Sequence, residues 1–223
     1  TLGNLLDPSV RPLVMGATFG IALTLVIIAG SELFTGHTMF LTLGVKAGTI
    51  SQGQMWAILP QTWVGNLLGS VFVALLYSWG GGGLLPVDTS LVHTVALAKT
   101  SQSAMALFFK GALCNWLVCL AIWMAIRTEG AAKFIAIWWC LLAFIASGYE
   151  HSVANMTLFA LSWFGHHSDA YTLAGIGHNL LWVTLGNTLS GVVFMGLGYW
   201  YATPQSERPA PEKIKQSEAA ANN

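Results

Sequence analysis

The sequence predicts an all-helical integral membrane protein with two repeats of three spans, each repeat containing one broken helix. Three observations predict this fold class. Of the 223 residues, 55% are hydrophobic and only 8% are charged, whereas about 25% of the residues in a soluble domain are charged. Two apolar runs are too long for one straight crossing, and similar motifs recur at the polar residues that interrupt them.

The first apolar run covers residues 12–45. As one continuous helix it would be roughly 50 Å long, against a hydrocarbon core of about 30 Å. Residues 30–36, Gly-Ser-Glu-Leu-Phe-Thr-Gly, are flanked by glycines and polar inside. Irregular backbone at membrane depth is tolerated only where it is buried in protein or lines a cavity. We therefore expect a helix break in this segment.

Two plain spans are predicted next, at residues 55–79 and 105–126. Four consecutive glycines end the first of them, and charged residues follow the second. The loop between them carries Lys99. A last plain span is expected at residues 179–201.

The run at residues 134–164 is again too long for one crossing. Its interruption, residues 148–155, reads Gly-Tyr-Glu-His-Ser-Val-Ala-Asn. Ionisable residues at membrane depth are costly and usually mark a functional path. Since Glu150 and His151 are adjacent, between a Gly and an Asn that both loosen a helix, we expect a broken helix with a functional site at the break.

The repeat is visible in two pairs of motifs. Gly-Ser-Glu ends at Glu32 and Gly-Tyr-Glu ends at Glu150, and a Gly-Asn pair ends at Asn66 in one half and at Asn187 in the other. The plain span before the second break has no counterpart before the first. We therefore expect a missing or truncated first span and six spans in all, and an odd number of spans per repeat makes the repeats inverted.

Basic residues predict the orientation, because cytoplasmic loops carry an excess of Lys and Arg. Residues 204–223, rich in Pro, Ser, Lys, Glu and Ala, have almost nothing to bury and are expected to form a disordered cytoplasmic tail after a transmembrane domain at residues 1–203. The cytoplasmic set is Lys46, Arg127, Lys133, Arg208, Lys213 and Lys215. The opposite set is Arg11, Lys99 and Lys110.

Three motifs resemble a known family. They are Ser-Glu-Leu-Phe-Thr-Gly-His at residues 31–37, Gly-Tyr-Glu-His-Ser-Val-Ala-Asn-Met at 148–156 and Cys-Asn-Trp at 114–116. These resemble signatures of the formate/nitrite transporter family, over nearly the whole chain apart from the tail, and within it the chain is most similar to the bacterial nitrite channels. The resemblance implies an aquaporin-like fold and a homopentamer with one pore per protomer. It also implies passage of small monovalent anions, nitrite or formate, across the bacterial inner membrane in nitrate assimilation.

The resemblance also implies roles for individual residues. His151 matches the central pore histidine, Thr35 the threonine that faces it, Lys99 an outer-vestibule lysine and Asn115 a pore-side asparagine. The positions that build the apolar constrictions are Phe19, Leu23, Leu33, Phe34 and Phe144.

Physical chemistry predicts the same kind of site. A bare anion in a narrow apolar slit loses its hydration at a large cost in free energy. Lys99 and helix N-termini can concentrate anions at the mouth. His151 can donate a hydrogen bond or a proton to a weak-acid anion, because an imidazole titrates near neutrality. Helix-break support is expected from Glu32, Glu150 and Asn155, since free N–H groups need acceptors.

Other functions remain as alternatives. A formate or hydrosulfide channel would belong to the same family, and a water or glycerol channel would have similar architecture. A haem-bearing membrane subunit of an oxidoreductase would need paired histidines at matching depth, and only His151 is clearly central. No nucleophile–base pair, phosphate loop or metal cluster is visible, so we expect neither an enzyme nor a cofactor. The zero net charge gives no sign of nucleic-acid binding.

Overall fold

The computed structural model describes residues 6–83, 85–87 and 89–208, and every regular element within these ranges is a helix. The α-helices are α1 (Arg11–Ala29), α2 (Phe34–Ala47), α3 (Gln52–Trp79), α4 (Leu91–Thr100), α5 (Ala104–Ala125), α6 (Ala131–Ala146), α7 (Ser152–Trp163), α8 (Leu173–Leu189) and α9 (Gly198–Ala202). A π-helical segment, Ser190–Leu197, joins α8 to α9, and a 3-10 turn follows at Gln205–Glu207.

The described residues contain four helical stretches that are long and apolar enough to cross a membrane: α1, α3, α5 and the stretch Leu173–Ala202. The apolar helix α6 is shorter, at 16 residues. On α3, large apolar side chains such as Leu68 and Phe72 are 64% and 60% exposed, as suits a surface that faces lipid. The chain is therefore a multi-pass membrane protein. Most of the tail predicted to be disordered, residues 209–223, lies outside the described residues.

The two helix breaks lie where the sequence predicts them, and their backbones have similar dihedral angles at two equivalent positions. Gly30 follows α1 with φ of 74°, and Gly148 follows α6 with φ of 67°, a left-handed conformation that favours glycine. The residues that precede α2 and α7 are both extended, Leu33 with φ −122° and ψ 117° and His151 with φ −117° and ψ 117°. Each break thus consists of a helix end, a short extended segment and a new helix start.

Close helix contacts hold the frame behind the breaks. Helix α1 packs on α6, and α5 packs on both α6 and α8. A side chain at Gly111 of α5 would lie 2.8 Å from the backbone oxygen of Val183, and one at Gly186 of α8 would meet the backbone oxygen of Phe108. Small residues that let helix backbones approach closely are typical of membrane proteins. The pair α5–α8 therefore forms a tight support for the second break.

Candidate functional site

The two breaks meet at Thr35 and His151. Thr35 lies in the first turn of α2 and is fully buried, and His151 is the N-cap residue of α7 with 7% exposure. The Oγ1 atom of Thr35 lies 3.1 Å from Nε2 of His151. Two polar side chains from opposite halves of the chain therefore face each other inside an apolar region.

The hydrogen bonds of His151 determine which ring nitrogen carries the hydrogen. The backbone N–H of Ala154 donates to Nδ1 at 3.1 Å, so Nδ1 acts as the helix cap and must be unprotonated. The neutral ring then carries its hydrogen on Nε2, which donates to Thr35 Oγ1. Protonation of Nδ1 would remove the cap. The geometry therefore favours a neutral imidazole that presents an Nε2–H donor.

An asparagine of α3 closes the first break. The backbone N–H of Phe34, at the start of α2, donates to Oδ1 of Asn66 at 2.9 Å. The Nδ2 group of Asn66 donates in turn to the backbone oxygen of Glu32 at 2.9 Å. One side chain thus satisfies a donor and an acceptor on either side of Leu33.

An asparagine of α8 closes the second break in the same way. The backbone N–H of Ser152 donates to Oδ1 of Asn187 at 2.9 Å, and Nδ2 donates to the backbone oxygens of Glu150 at 3.1 Å and Gly111 at 2.8 Å. Sequence reasoning identified both Gly-Asn pairs as a repeat and missed their role. The available signal was that each pair contains a polar residue in the membrane span that follows a break.

The placement of Glu32 differs from its predicted role as a backbone acceptor. Its side chain is 73% exposed, and its carboxylate pairs with Nε2 of His37. The other ring nitrogen of His37 lies 3.0 Å from Oγ1 of Thr62. Asn66 serves the backbone of this break, and the Glu32 carboxylate lies at the surface in a pair with His37.

Glu150, by contrast, is 1% exposed and belongs to a closed ring of polar side chains. Its Oε1 accepts from Lys99 Nζ at 2.8 Å, and its Oε2 accepts from Asn155 Nδ2 at 2.6 Å. Asn155 Nδ2 also contacts Oδ1 of Asn179 at 2.9 Å, and Asn179 Nδ2 donates to the backbone oxygen of Lys99 at 3.0 Å. The carboxylate therefore binds side chains next to the break, and the backbone groups of the break are bound by Asn187 instead.

Two cavities meet at His151. The Lys99 cavity, of about 430 Å³, is lined by Lys99, Asn155 and Tyr149 among others, and the middle cavity, of about 460 Å³, is lined largely by apolar side chains that include Leu23. Both cavities are bordered by Phe19, Phe144 and His151.

Five residues border both cavities, and three of them, Phe19, Phe144 and His151, form an aromatic wall beside Ala154 and Leu158. The ring centroids of Phe19 and Phe144 are 5.6 Å apart in an edge-to-face arrangement. Phe144 stacks on the imidazole of His151 at 6.0 Å. An ion that passes from one cavity to the other must therefore cross this wall beside His151.

A third cavity continues in the direction of the first break. The Glu32 cavity, of about 300 Å³, is lined by Glu32, His37 and Gly36. It shares Val26 and Leu33 with the middle cavity. Leu33 therefore lies between the middle and Glu32 cavities, as Phe19 and Phe144 lie between the middle and Lys99 cavities.

Phe34 does not line any of these three cavities. It is 4% exposed and packs in a cluster with Met55 and Leu59 of α3. Successive residues at a helix start face different directions, so Leu33 lines the cavities while the next residue, Phe34, points to this cluster. This placement differs from the predicted constriction role.

Asn115 is likewise absent from the lining of the three cavities and is fully buried. Its Nδ2 group contacts the backbone oxygens of Asn187 at 2.7 Å and Thr35 at 3.2 Å, and Oγ1 of Thr38 at 3.1 Å. Asn115 therefore fixes the segment that carries Thr35 to the end of α8, whereas the family resemblance implied a pore-side position.

Membrane-spanning helices, two breaks that meet at buried polar side chains and a series of cavities define a membrane transport protein. A family model described as formate/nitrite transporter matches residues 1–201. The chain belongs to the formate/nitrite transporter family, which confirms the resemblance seen in the sequence.

Similar proteins carry names of the same class. The chain is 92% identical over 223 residues to the nitrite transporter NirC of Salmonella typhimurium, covering 100% of this chain and 83% of that protein. It is 87% identical over 221 residues to NirC of Escherichia coli, covering 99% and 82%. These relatives are named as transporters and not as enzymes.

Two solved structures are also similar. One, described as an FNT family ion channel, has 94% identity and a TM-score of 0.90, covering 91% of this chain and 82% of that chain. The other, described as a pentameric formate channel with formate bound, has 29% identity and a TM-score of 0.77, covering 88% and 85%.

Proposed function

We propose that this protein passes small monovalent anions across the bacterial inner membrane, with nitrite as the principal substrate. The observation that carries the proposal is the hydrogen bond between neutral His151, which borders two cavities at the aromatic wall, and Thr35, which is buried directly behind it and lines none of the three cavities. The names of the Salmonella and Escherichia relatives, at 92% and 87% identity, support nitrite.

The proposed mechanism compensates for lost hydration at the narrowest part of the path. An anion entering from the Lys99 cavity leaves water before it reaches Phe19 and Phe144, which costs free energy unless hydrogen-bond donors replace the water. The Nε2–H of His151 is one donor. For that donation the anion displaces Thr35 Oγ1 as the acceptor of the Nε2–H, and the Thr35 hydroxyl, which has its own hydrogen, becomes the second donor.

We assign the remaining predicted residues to supporting roles. Phe19 and Phe144 constrict the path on one side of His151, Leu33 constricts it on the other, and Leu23 lines the middle cavity. Asn115 holds Thr35 in place, and Phe34 anchors α2 through packing. Lys99, Glu150 and Asn155 hold the second break in shape.

We infer an aquaporin-like architecture of two inverted three-span repeats. The nearly equal backbone angles at Leu33 and His151, and the matching caps from Asn66 and Asn187, support this inference. A homopentamer is supported by the similar structure described as pentameric. The bias of Lys and Arg supports a cytoplasmic location for the tail that follows a channel domain at residues 1–203.

Uptake into proteoliposomes tests the proposed function. Nitrite, formate and glycerol would each be offered to vesicles that contain the full chain and to empty vesicles. We expect nitrite uptake well above both the empty vesicles and the glycerol control. Formate uptake that exceeds nitrite uptake would reassign the substrate within the family. Glycerol uptake without anion uptake would overturn the proposal.

Formate is the second candidate, because the similar structure at 29% identity contains bound formate. Formate and nitrite are both small weak-acid anions that accept hydrogen bonds through oxygen. The His151–Thr35 donors suit either anion. The same uptake experiment ranks the two substrates directly.

A further inference from the structure

We propose that Lys110, and not Lys99, supplies the uncompensated positive charge that draws anions into the Lys99 cavity, with Gln102 holding that charge beside the second break. This inference rests on the anion transport proposed above and specifies which charge determines the entry of anions.

Lys99 borders the cavity, but its charge is neutralised. Its Nζ atom lies 2.8 Å from the Glu150 carboxylate, and the two side chains are 18% and 1% exposed. Opposite charges at this distance act together as a dipole, whose attraction for a distant anion is much weaker than that of a free charge. Lys99 is therefore a poor long-range attractor for anions.

Lys110 has no such partner. It lies in the second turn of α5, is half-buried, and its Nζ donates to Oε1 of Gln102 at 2.6 Å. Within the described part of the chain, the ion pairs are His37–Glu32 and Lys99–Glu150, so no described carboxylate lies within 4.0 Å of Lys110. The three charged groups Lys99, Lys110 and Glu150 thus sum to one positive charge.

Gln102 joins this charge to the site. Its Oε1 must face the Lys110 ammonium, so its Nε2 faces the other way and donates to Oε1 of Glu150 at 3.2 Å. The same carboxylate oxygen accepts from Lys99. The backbone oxygen of Gln102 lies 3.1 Å from Nε2 of His178, which helps to fix the loop that carries Gln102.

The backbone gives a second connection between Lys110 and the break. The N–H of Glu150 donates to the backbone oxygen of Lys110 at 3.3 Å. Lys110 is therefore tied to the residue before His151 by its main chain and, through Gln102, by its side chain. Its charge is held in a constant position relative to the His151–Thr35 pair.

A fixed charge at this position acts on the approach of the anion more than on the crossing itself. Without salt, a unit charge about 10 Å from an anion, at an effective dielectric constant of about 20 to 40, raises the local anion concentration roughly four- to seventeenfold. Dissolved salt screens this attraction. The effect should therefore be seen in KM and in the salt dependence of uptake, whereas the saturated rate stays nearly constant.

The test compares nitrite uptake by the full chain and its variants in proteoliposomes over a range of nitrite concentrations and ionic strengths. We expect Lys110→Met to raise the apparent KM about three- to tenfold and to weaken its salt dependence. The saturated rate and glycerol exclusion should stay unchanged, and Lys110→Arg should behave as the wild type.

Two further variants make the test decisive. Lys110→Gln removes the charge but keeps a side chain that can hydrogen-bond Gln102; it should raise KM as Lys110→Met does, and it decides the question if Lys110→Met fails to assemble. Lys133→Met is the matched control, since Lys133 lies in the first turn of α6, far from the break at the opposite end of that helix.

The outcomes separate the two proposals. Wild-type vesicles without nitrite uptake would contradict the proposed function itself. Wild-type uptake with an unchanged KM and salt dependence in Lys110→Met, or in Lys110→Gln if the former does not assemble, would overturn only the role of Lys110. An equal rise of KM in Lys133→Met would also overturn it, because the effect would then be non-specific.

Discussion

Asn66 and Asn187 bind the two helix breaks in the same way, each accepting a backbone N–H at the start of a half-helix at 2.9 Å. They differ in burial, because Asn187 is fully buried and Asn66 is half-buried. The breaks therefore have the same hydrogen-bonding pattern, and water can replace the cap only at the first.

This difference predicts unequal losses of stability. Asn187→Ala leaves buried backbone groups of Ser152, Glu150 and Gly111 without a partner and should cost about 3 kcal/mol or more, since each such group costs about 1–3 kcal/mol. Asn66→Ala should cost about 1–2 kcal/mol, because water can reach the exposed groups. Thermal unfolding in detergent measures both, with Gln61→Ala on the exposed face of α3 as the control. Equal stability of the Asn187 and Gln61 variants would contradict the capping role.

The Thr35 hydroxyl should be required for anion passage. Thr35→Val keeps the shape but removes the donor, and the loss of one hydrogen bond to a charged group should lower nitrite uptake about ten- to hundredfold. Thr35→Ser keeps the hydroxyl and should retain most of the uptake. If the valine variant transported nitrite at the rate of the serine variant, Thr35 would not contact the anion.

Phe144 should maintain selectivity at the aromatic wall. Its ring packs against both Phe19 and His151, so Phe144→Ala joins the Lys99 and middle cavities through a wider opening. We expect glycerol to enter vesicles that contain this variant. Phe72→Ala, on the 60% exposed surface of α3, is the control and should exclude glycerol as the wild type does. Exclusion of glycerol by both variants would place the limiting constriction elsewhere.

The sequence was sufficient to predict the helix breaks and the residues at them. Polar residues inside an apolar run are expensive in a membrane, so Glu150 and His151 stand out without any tertiary information. The family motifs then paired Thr35 with His151, and the structure places these two side chains within 3.1 Å of each other.

Other residues depend on tertiary packing that the sequence pattern does not reveal. Glu32 and Glu150 occupy equivalent places in the repeat, yet one is exposed and the other buried because only the second break has a lysine, Lys99, beside it. Asn115 contacts the end of α8 and not a cavity, since α5 and α8 approach each other closely. The charge of Lys110 becomes relevant only when Gln102 is seen to connect it to Glu150.

In the proposed mechanism, His151 acts as a neutral hydrogen-bond donor and not as an acid. Nitrite uptake over a pH series in the wild type, His151→Gln and His151→Asn tests this most directly, with the oligomeric state of each variant checked by gel filtration. Glutamine can place an N–H near the position of Nε2 but cannot titrate, whereas asparagine can cap α7 but is too short to reach Thr35. We expect His151→Gln to transport nitrite with the pH profile of the wild type, and His151→Asn to transport poorly at every pH. Loss of uptake in the assembled glutamine variant, as complete as in the asparagine variant, would show that a titrating imidazole is required and would contradict the account.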